Sequence, residues 1–465
     1  MKKKRRRKRY QGSMTPILWI AGILIVISGL GGLTYYLVKK LSKNDQVTTT
    51  SSEPIPSANP GDPPKVSPDL KKLIDELDKN DPRWRLKDLA ERSKLDPAKN
   101  GASIAVTVAA QIPRPFIESV QNFETRIDPS EPIPEAEIQR LRNAMQPYQA
   151  SAVQARKIAS LPRGQFDLQI NLKTPTDTVL DHAQSSRRCA SVLVYDSELR
   201  AAERDGAGAI LSATALFNLA RYHADEPTII SQVVRIANRQ LALAALERAL
   251  TCANVSDESL TAIQQILETD GSAAIFRTAL RGDRAMMHAM IVNVGKGETA
   301  WGQQFAGVKI TDSEHVQYLR HINAMIDLAD KPVEKNQEAW QTLANEIASA
   351  PSNVQQILPK PPQMRDVNGR ATATIRAATI AVAAERYRRA KGDWPTELKQ
   401  LTPTYLKILP IDPFSGGSFK FARQPNGITA YTPGPAPDQN GAFGSIGFSP
   451  EACQGFRLID ANLRR

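Results

Sequence analysis

Apolar residues along most of the chain recur at the three- and four-residue spacing of one helix face. The segment that begins at residue 69 shows this clearly, with Leu70, Leu73, Ile74 and Leu77 at positions i, i+3, i+4 and i+7. Aromatic residues make up only 6% of the chain, whereas alanine and leucine are plentiful, which favours helices over strands. The sequence therefore predicts a mainly α-helical protein.

Three long apolar helices are predicted in the centre of the chain. Turn residues at Asp205-Gly206 and Asp225-Glu226-Pro227 separate them. The third is apolar on most faces, which predicts a buried central helix. No fixed period recurs, so we expect an irregular helical domain, with a solenoid of helix pairs as the alternative. The three runs are 178–206, 207–226 and 228–255; shorter helices are predicted near 257–267, 272–292, 312–330 and 334–349, and a short strand at 166–172.

A charge-free apolar segment extends from Ile17 to Val38. As a helix it would be about 33 Å long, enough to cross a hydrocarbon core of about 30 Å. Basic residues precede it, and fewer follow it, at Lys39 and Lys40. The positive-inside rule then puts the N-terminus in the cytoplasm. The sequence thus predicts a single-pass transmembrane helix in the bacterial inner membrane, with the lipid bilayer as a partner and the bulk of the chain on the extracytoplasmic side.

A segment rich in proline, serine and threonine follows the apolar segment and cannot bury a core, which predicts a tether. The helical pattern begins after it and gives way to a different composition near the C-terminus. The predicted organisation is a basic cytoplasmic tail at 1–16, a transmembrane helix at 17–38, a linker at 39–68, an α-helical domain at 69–365 and a small α+β module at 366–465.

The net charge of +12 is concentrated at one end of the chain. Residues 2–9 are all lysine or arginine and carry eight positive charges, which leaves +4 for the rest. A nucleic-acid-binding face needs a basic patch on the folded domain, and this distribution does not supply one. We therefore expect no nucleic-acid partner.

No known catalytic or cofactor motif occurs in the sequence. The chain has neither an HExxH pair nor a Cys/His metal spacing, and it lacks a GxSxG elbow, a Walker A loop and a dinucleotide fingerprint. His223 lies beside Asp225 and Glu226, but this pattern is also typical of a polar helix C-terminus, which is the reading favoured. The sequence thus indicates no catalytic residue, cofactor or metal. The five histidines are His182, His223, His288, His315 and His321.

Three cysteines, Cys189, Cys252 and Cys453, are too few for a disulfide scaffold. In an extracytoplasmic domain one pair could be oxidised, and Cys189 and Cys252 both lie on predicted helices. Buried, reduced thiols are the alternative that the composition favours. The sequence does not decide between them.

The C-terminal module begins with a long Ala-rich helix that Gly392 is predicted to end. A short helix at 396–401, an extended segment and a β-hairpin with its turn at Asn426-Gly427 follow. This order resembles the globular domain of type II secretion major pseudopilins, over about residues 370–445. The matching positions are Tyr387, Trp394, Pro395, Leu398, Leu401, Tyr405, Leu406, Asp412, Pro413, Phe414 and Gly416.

Three departures limit what this resemblance implies. The pseudopilin module continues directly from its membrane helix, whereas about 330 residues intervene here, so no filament is expected. A prepilin-processing site has a glycine and, five residues later, a glutamate, but here the fifth residue after Gly12 is Ile17 and Pro16 precedes it, so no such cleavage is expected. The loop that resembles a calcium site offers only Asp438 and Asn440, and calcium prefers several carboxylates, so no calcium is expected.

These features together favour a non-enzymatic scaffold. The anchor, the tether and the module predict a membrane-anchored envelope protein that binds other envelope or secretion-system proteins, and the whole arrangement is similar to uncharacterised bacterial envelope proteins. The alternative is an envelope hydrolase with its active site in the helical domain. The sequence indicates neither the partner nor the oligomeric state.

Overall fold

The computed structural model describes residues 66–92, 94–113, 133–272, 274–299, 308–432, 454–460 and 463–464. Over these ranges the protein is mainly helical and carries one small antiparallel sheet. The helices are α1 Pro68–Asn80, α2 Leu86–Ala90, α3 Gly101–Gln111, α4 Glu135–Met145, α5 Gln149–Arg156, α6 Asp181–Ala202, α7 Gly206–Arg221, α8 Ile229–Cys252, α9 Asp257–Gly271, α10 Arg277–Gly295, α11 Asp312–Ala329, α12 Gln337–Ala348, α13 Ser352–Ile357 and α14 Pro361–Lys391. The strands are β1 Lys420–Gln424, β2 Gly427–Thr432 and β3 Gln454–Ile459.

The fold class predicted from the sequence needs a correction, because it included a transmembrane helix. Among the described residues, every helix is too short or too polar to cross a bilayer. Even α14, with 31 residues, carries charged side chains such as Arg370 and Glu385, which lipid would not accommodate. The predicted span from Ile17 to Val38 lies outside the described residues. The predicted single-pass membrane topology and inner-membrane location depended on that span, and the described residues do not support them.

The three central helices form as predicted and pack on one another. Asp205 caps α7 and Thr228 caps α8, and each side chain accepts a hydrogen bond from the backbone N–H three residues on. Helix α8 is buried on almost every side. The predicted strand at 166–172 is wrong: this segment is irregular, and Phe166 and Leu168 are buried against helices instead. A lone alternating segment without a neighbouring strand cannot form a ladder.

Two hydrophobic clusters make up most of the core, and α8 and α14 run through both. The first half of α8, with Val233 and Ile236, packs with α10 and α11, while its second half, with Leu246 and Leu250, packs with α6 and α7. Helix α14 also contributes its first part to the cluster with α10 and α11 and its second part, with Ile380, to the cluster with α6 and α7. These two helices therefore connect the halves of the molecule.

The C-terminal module is part of this common core. Helix α14 ends at Lys391 and is capped by Gly392, whose φ of +88° suits glycine. The helix packs against α9 and against β2 and β3. The hairpin at Asn426-Gly427 forms as predicted, while β3, which completes the order β1-β2-β3, was not predicted. Phe456 on β3 is 1% exposed and belongs to the same cluster as Leu216 of α7.

The residues that carry the pseudopilin resemblance have structural roles in this module. Tyr387 and Tyr405 meet edge to face at 5.7 Å between ring centroids. Asp412 accepts hydrogen bonds from the Phe414 amide at 3.0 Å and the Thr432 hydroxyl at 2.7 Å, which closes the turn that the sequence predicted. The others pack in or around the core: Trp394, Leu398, Leu401 and Leu406 against the first cluster, and Phe414 against Gly369.

Candidate metal centre

Two histidines and a glutamate meet in the interior. His182 lies in the first turn of α6, and His223 and Glu226 lie in the turn between α7 and α8. The His182 Nε2 is 2.9 Å from Glu226 Oε2, and the His223 Nδ1 is 3.3 Å from the same oxygen. One ligand atom from each residue lies within 4.8 Å of the others. His223 and Glu226 are fully buried and His182 is 8% exposed.

The second nitrogen of His223 is held by a polar pair. Its Nε2 lies 2.9 Å from the Ser186 hydroxyl oxygen, which also accepts a hydrogen bond from Asn238 at 2.9 Å. In a metal-bound state, a proton on Nε2 would be donated to Ser186, which would leave the Nδ1 lone pair free to bind the ion. Metal-binding histidines are commonly oriented in this way by a partner on the other nitrogen.

Glu226 is an ionised carboxylate in an apolar setting. Burial alone would raise its pKa, but the charges of His223 and His182 and the hydrogen bonds from both rings outweigh burial and hold the pKa of Glu226 well below its usual range. Its Oε2 faces both rings, while Oε1 is buried and has no hydrogen-bond partner among the described residues. An unpartnered buried carboxylate oxygen is costly, so a cation at this point would stabilise it.

Phe166 forms one wall of the cluster. Its ring stacks on His182 at 5.2 Å and on His223 at 4.9 Å, with interplanar angles of 30° and 27°. Tyr222 meets the edge of the same ring at 6.3 Å. The irregular segment at 166–172 thus contributes an aromatic wall that restricts water around the imidazoles.

Gln232 fixes the turn that carries two of the three polar side chains. Its amide nitrogen donates to the backbone carbonyls of His223 at 2.8 Å, Ala224 at 3.3 Å and Glu226 at 3.2 Å. Because α8 is buried and rigidly packed, this amide holds the turn against it. The geometry of His223 and Glu226 is therefore set by α8 as well as by α7.

The remaining histidines form a different arrangement. The His288 Nδ1 lies 3.0 Å from the His315 Nε2, and Trp84 packs against His288 at 4.7 Å between ring centroids. Burial lowers the pKa of His288 to about 3 and that of His315 to about 4, so both rings are neutral at physiological pH. A neutral, hydrogen-bonded pair attaches the α1–α2 segment to α10 and α11.

A small cavity lies beside the turn, between Pro227, Thr228 and Asp283. Its volume of about 40 Å³ is enough for about two water molecules. Burial raises the pKa of Asp283 to about 7, although a hydrogen bond from Tyr318 acts in the opposite direction. The fold therefore favours the protonated form of this carboxyl.

We expect Asp283→Asn to remove a pH dependence of stability. Because the folded-state pKa is raised above the unfolded value of 3.8, the wild-type protein loses stability as pH rises from about 4 to about 7. The melting temperature of the asparagine variant, relative to that of the wild type, should rise across this pH window and stay constant above it. Melting curves at pH 5 and pH 8 test this, with the exposed Asp167→Asn as the matched control; an equal gap at both pH values would contradict it.

Local sequence patterns do not reveal this centre. They place His223 at a polar helix end, whereas the structure buries that residue completely. The one local signal was the spacing of His223 and Glu226, three residues apart in a helical turn. His182 precedes His223 by 41 positions and Phe166 precedes it by 57, so only the packing of α6 on α7 brings them together.

Comparison with protein-family models, with curated proteins and with solved structures found no match to this chain. The resemblance to pseudopilins therefore stays a prediction from the residues.

Proposed function

We propose that this protein binds one divalent transition-metal ion through His182, His223 and Glu226, and that the ion is a structural element of a non-enzymatic scaffold. The observation that carries the proposal is the convergence of two imidazole nitrogens on the buried Glu226 carboxylate, whose second oxygen, Oε1, has no hydrogen-bond partner among the described residues. A divalent ion would replace the protons that the two imidazoles share with the carboxylate. It would also neutralise the buried negative charge.

The donor set fits a zinc-class ion. In a tetrahedral zinc site with bonds of about 2.0–2.1 Å, neighbouring ligand atoms lie about 3.3 Å apart. The distances of 2.9 Å and 3.3 Å from Glu226 Oε2 to the two imidazole nitrogens are close to this spacing, and all three ligand atoms lie within 4.8 Å of one another. Two nitrogens and one oxygen suit zinc, iron(II) and nickel better than calcium or magnesium, which prefer oxygen donors alone.

The position of the ligands favours a structural role. The ion would connect the start of α6 to the turn between α7 and α8, in the centre of the most tightly packed part of the fold. All three ligands are buried, and Phe166 covers both imidazoles. A metal cross-link of this kind stabilises the folded state, because the unfolded chain does not hold the three ligands close together.

Metal content measures the proposal directly. The wild-type chain, freed of metal by chelation and then exposed to Zn²⁺, should retain about one equivalent after desalting, as measured by elemental mass spectrometry. His182→Ala and His223→Ala should each retain far less, because two ligands bind zinc weakly. His321→Ala removes a histidine outside the cluster and is the control. Retention of a full equivalent by both cluster variants would rule out the site.

The hydrolase that the sequence left as an alternative is tested with the same samples. Three protein ligands leave one zinc position open, as in hydrolytic zinc sites. Zinc-dependent cleavage of nitrophenyl esters or phosphates by the wild type, lost in His223→Ala, would favour that alternative over the scaffold. The secretion-system partners predicted from the pseudopilin resemblance also stay a proposal, and a crosslinking pull-down with no reproducible partner would count against them.

A further inference from the structure

A second polar cluster in the core has more positive than negative charge. It joins Arg221 at the end of α7, Arg235 and Arg239 on α8, and Asp270 near the end of α9. Arg235 is 5% exposed, Arg239 is 1% exposed and Asp270 is 4% exposed. Asp270 is the one carboxylate that is ion-paired with these arginines among the described residues.

Asp270 and backbone carbonyls near the end of α9 accept some of the hydrogen bonds that these arginines can donate. The Arg221 Nε donates to Asp270 Oδ1 at 2.9 Å, and the Arg239 Nε lies 3.3 Å from Oδ2. Arg221 also donates to the backbone carbonyl of Ile266 at 3.1 Å, and Arg239 donates to that of Asp270 at 3.4 Å, in the last two turns of α9. One carboxylate is thereby shared between two guanidinium groups.

Arg235 has no carboxylate partner in this cluster. Its NH1 donates to the neutral Gln232 side chain at 3.2 Å, and its Nε has no hydrogen-bond partner among the described residues. The Arg239 NH1 also has no hydrogen-bond partner among the described residues. Burial, followed by the charge of Arg239, lowers the pKa of Arg235 to about 9, so the guanidinium is still charged at neutral pH. Three arginines surround one buried carboxylate, and the other carboxylate whose charge acts on Arg235 is the exposed Asp225, so the buried part of the cluster carries excess positive charge. Buried charges are normally paired.

We propose that Arg235 and Arg239 bind the phosphate group of a small anion, either inorganic phosphate or a phosphomonoester. A phosphate group carries nearly two negative charges at neutral pH and several acceptor oxygens, which would offset the excess positive charge and accept hydrogen bonds from the unpartnered N–H groups. Guanidinium forks suit phosphate because they donate two parallel hydrogen bonds. Arg221 has a partly exposed side chain, so solvent reaches the outer side of the cluster.

This site is separate from the metal centre but is connected to it. Gln232 accepts the Arg235 hydrogen bond and donates to the turn that holds His223 and Glu226. The anion proposal does not depend on metal binding, because none of its arginines contacts the three metal ligands in the described structure. All samples must contain the same amount of metal, so that an effect of the metal centre is not mistaken for anion binding.

Titration calorimetry of the full chain with inorganic phosphate and with glycerol 2-phosphate tests the proposal, at constant ionic strength set with chloride. We expect saturable binding of at least one of them, and the tighter of the two identifies the source of the phosphate group. Arg235→Met should bind about tenfold more weakly or worse, since it loses a charged hydrogen-bonding group. Arg142→Met, which removes an exposed arginine, should bind like the wild type.

Stability without phosphate separates binding from a purely structural role. If Arg235 is held for an anion, Arg235→Met should be as stable as the wild type or more stable in phosphate-free buffer, because it removes an unpaired buried charge. The wild type should gain melting temperature on phosphate addition and the variant should not. Absence of binding by the wild type, or equal binding by Arg235→Met, would overturn the proposal; so would a variant destabilised equally with and without phosphate.

Discussion

Glu226→Gln is expected to make the protein insensitive to chelation. In the wild type, removal of the metal should lower the free energy of unfolding by about 4 kcal/mol when free metal had been held near a thousand times the dissociation constant. The amide of glutamine keeps the size of the side chain but is a poor metal ligand, so that contribution should vanish. Guanidinium unfolding of both proteins, each with Zn²⁺ and with EDTA, measures the difference.

The matched control is Glu203→Gln, which makes the same chemical change at an exposed side chain paired with Arg142. It should respond to EDTA as the wild type does. Lowering the pH should reduce the effect of metal in the wild type, because an imidazole must be deprotonated to bind it. A wild-type protein whose unfolding is unchanged by EDTA would contradict a structural metal, while the same EDTA response in Glu226→Gln would place the metal elsewhere.

Phe456→Ala is expected to destabilise the whole molecule by about 3–5 kcal/mol, the usual cost of a large cavity in a packed core. Phe456 is 1% exposed, and β3 packs on α14 and α8. Because one hydrophobic cluster joins the sheet to α6 and α7, the loss should not be confined to the module. Hydrogen exchange read by mass spectrometry should show faster exchange in α7 as well as in β2 and β3.

Ile408→Ala is the control for this change. Ile408 lies in the same module but is 80% exposed, so its truncation should alter the free energy of unfolding very little. If hydrogen exchange in Phe456→Ala is faster only in β2 and β3 and is unchanged in α7, the module is a separate cap. Faster exchange in both would make it an integral part of the fold.

Local patterns in the sequence predicted much of the fold. The spacing of Leu70, Leu73, Ile74 and Leu77 indicated α1, and a charged residue and a glycine at 205–206 marked the boundary between α6 and α7. Gly392 ended α14 and Asn426-Gly427 turned the hairpin, as predicted. These features depend on neighbours within a few residues, so they can be read without knowing the tertiary structure.

Other features depended on distant partners and were missed or wrong. The segment at 166–172 alternates like a strand, yet no second strand lies beside it, and Phe166 packs on imidazoles instead. Strand β3 pairs with β2 through residues more than twenty positions away. The membrane-spanning fold class was corrected because no described helix can cross a bilayer.

The sequence by itself determined that the protein is a helical assembly ending in a helix and a hairpin, because helix periodicity, caps and turns are local properties. Only the tertiary structure placed His182 beside His223 and Glu226, and left Arg235 buried without a carboxylate partner among the described residues. Both clusters depend on how α6, α7, α8 and α9 pack together. Burial then decides the chemistry, since the same carboxylate or guanidinium at the surface would be hydrated and would need no ligand.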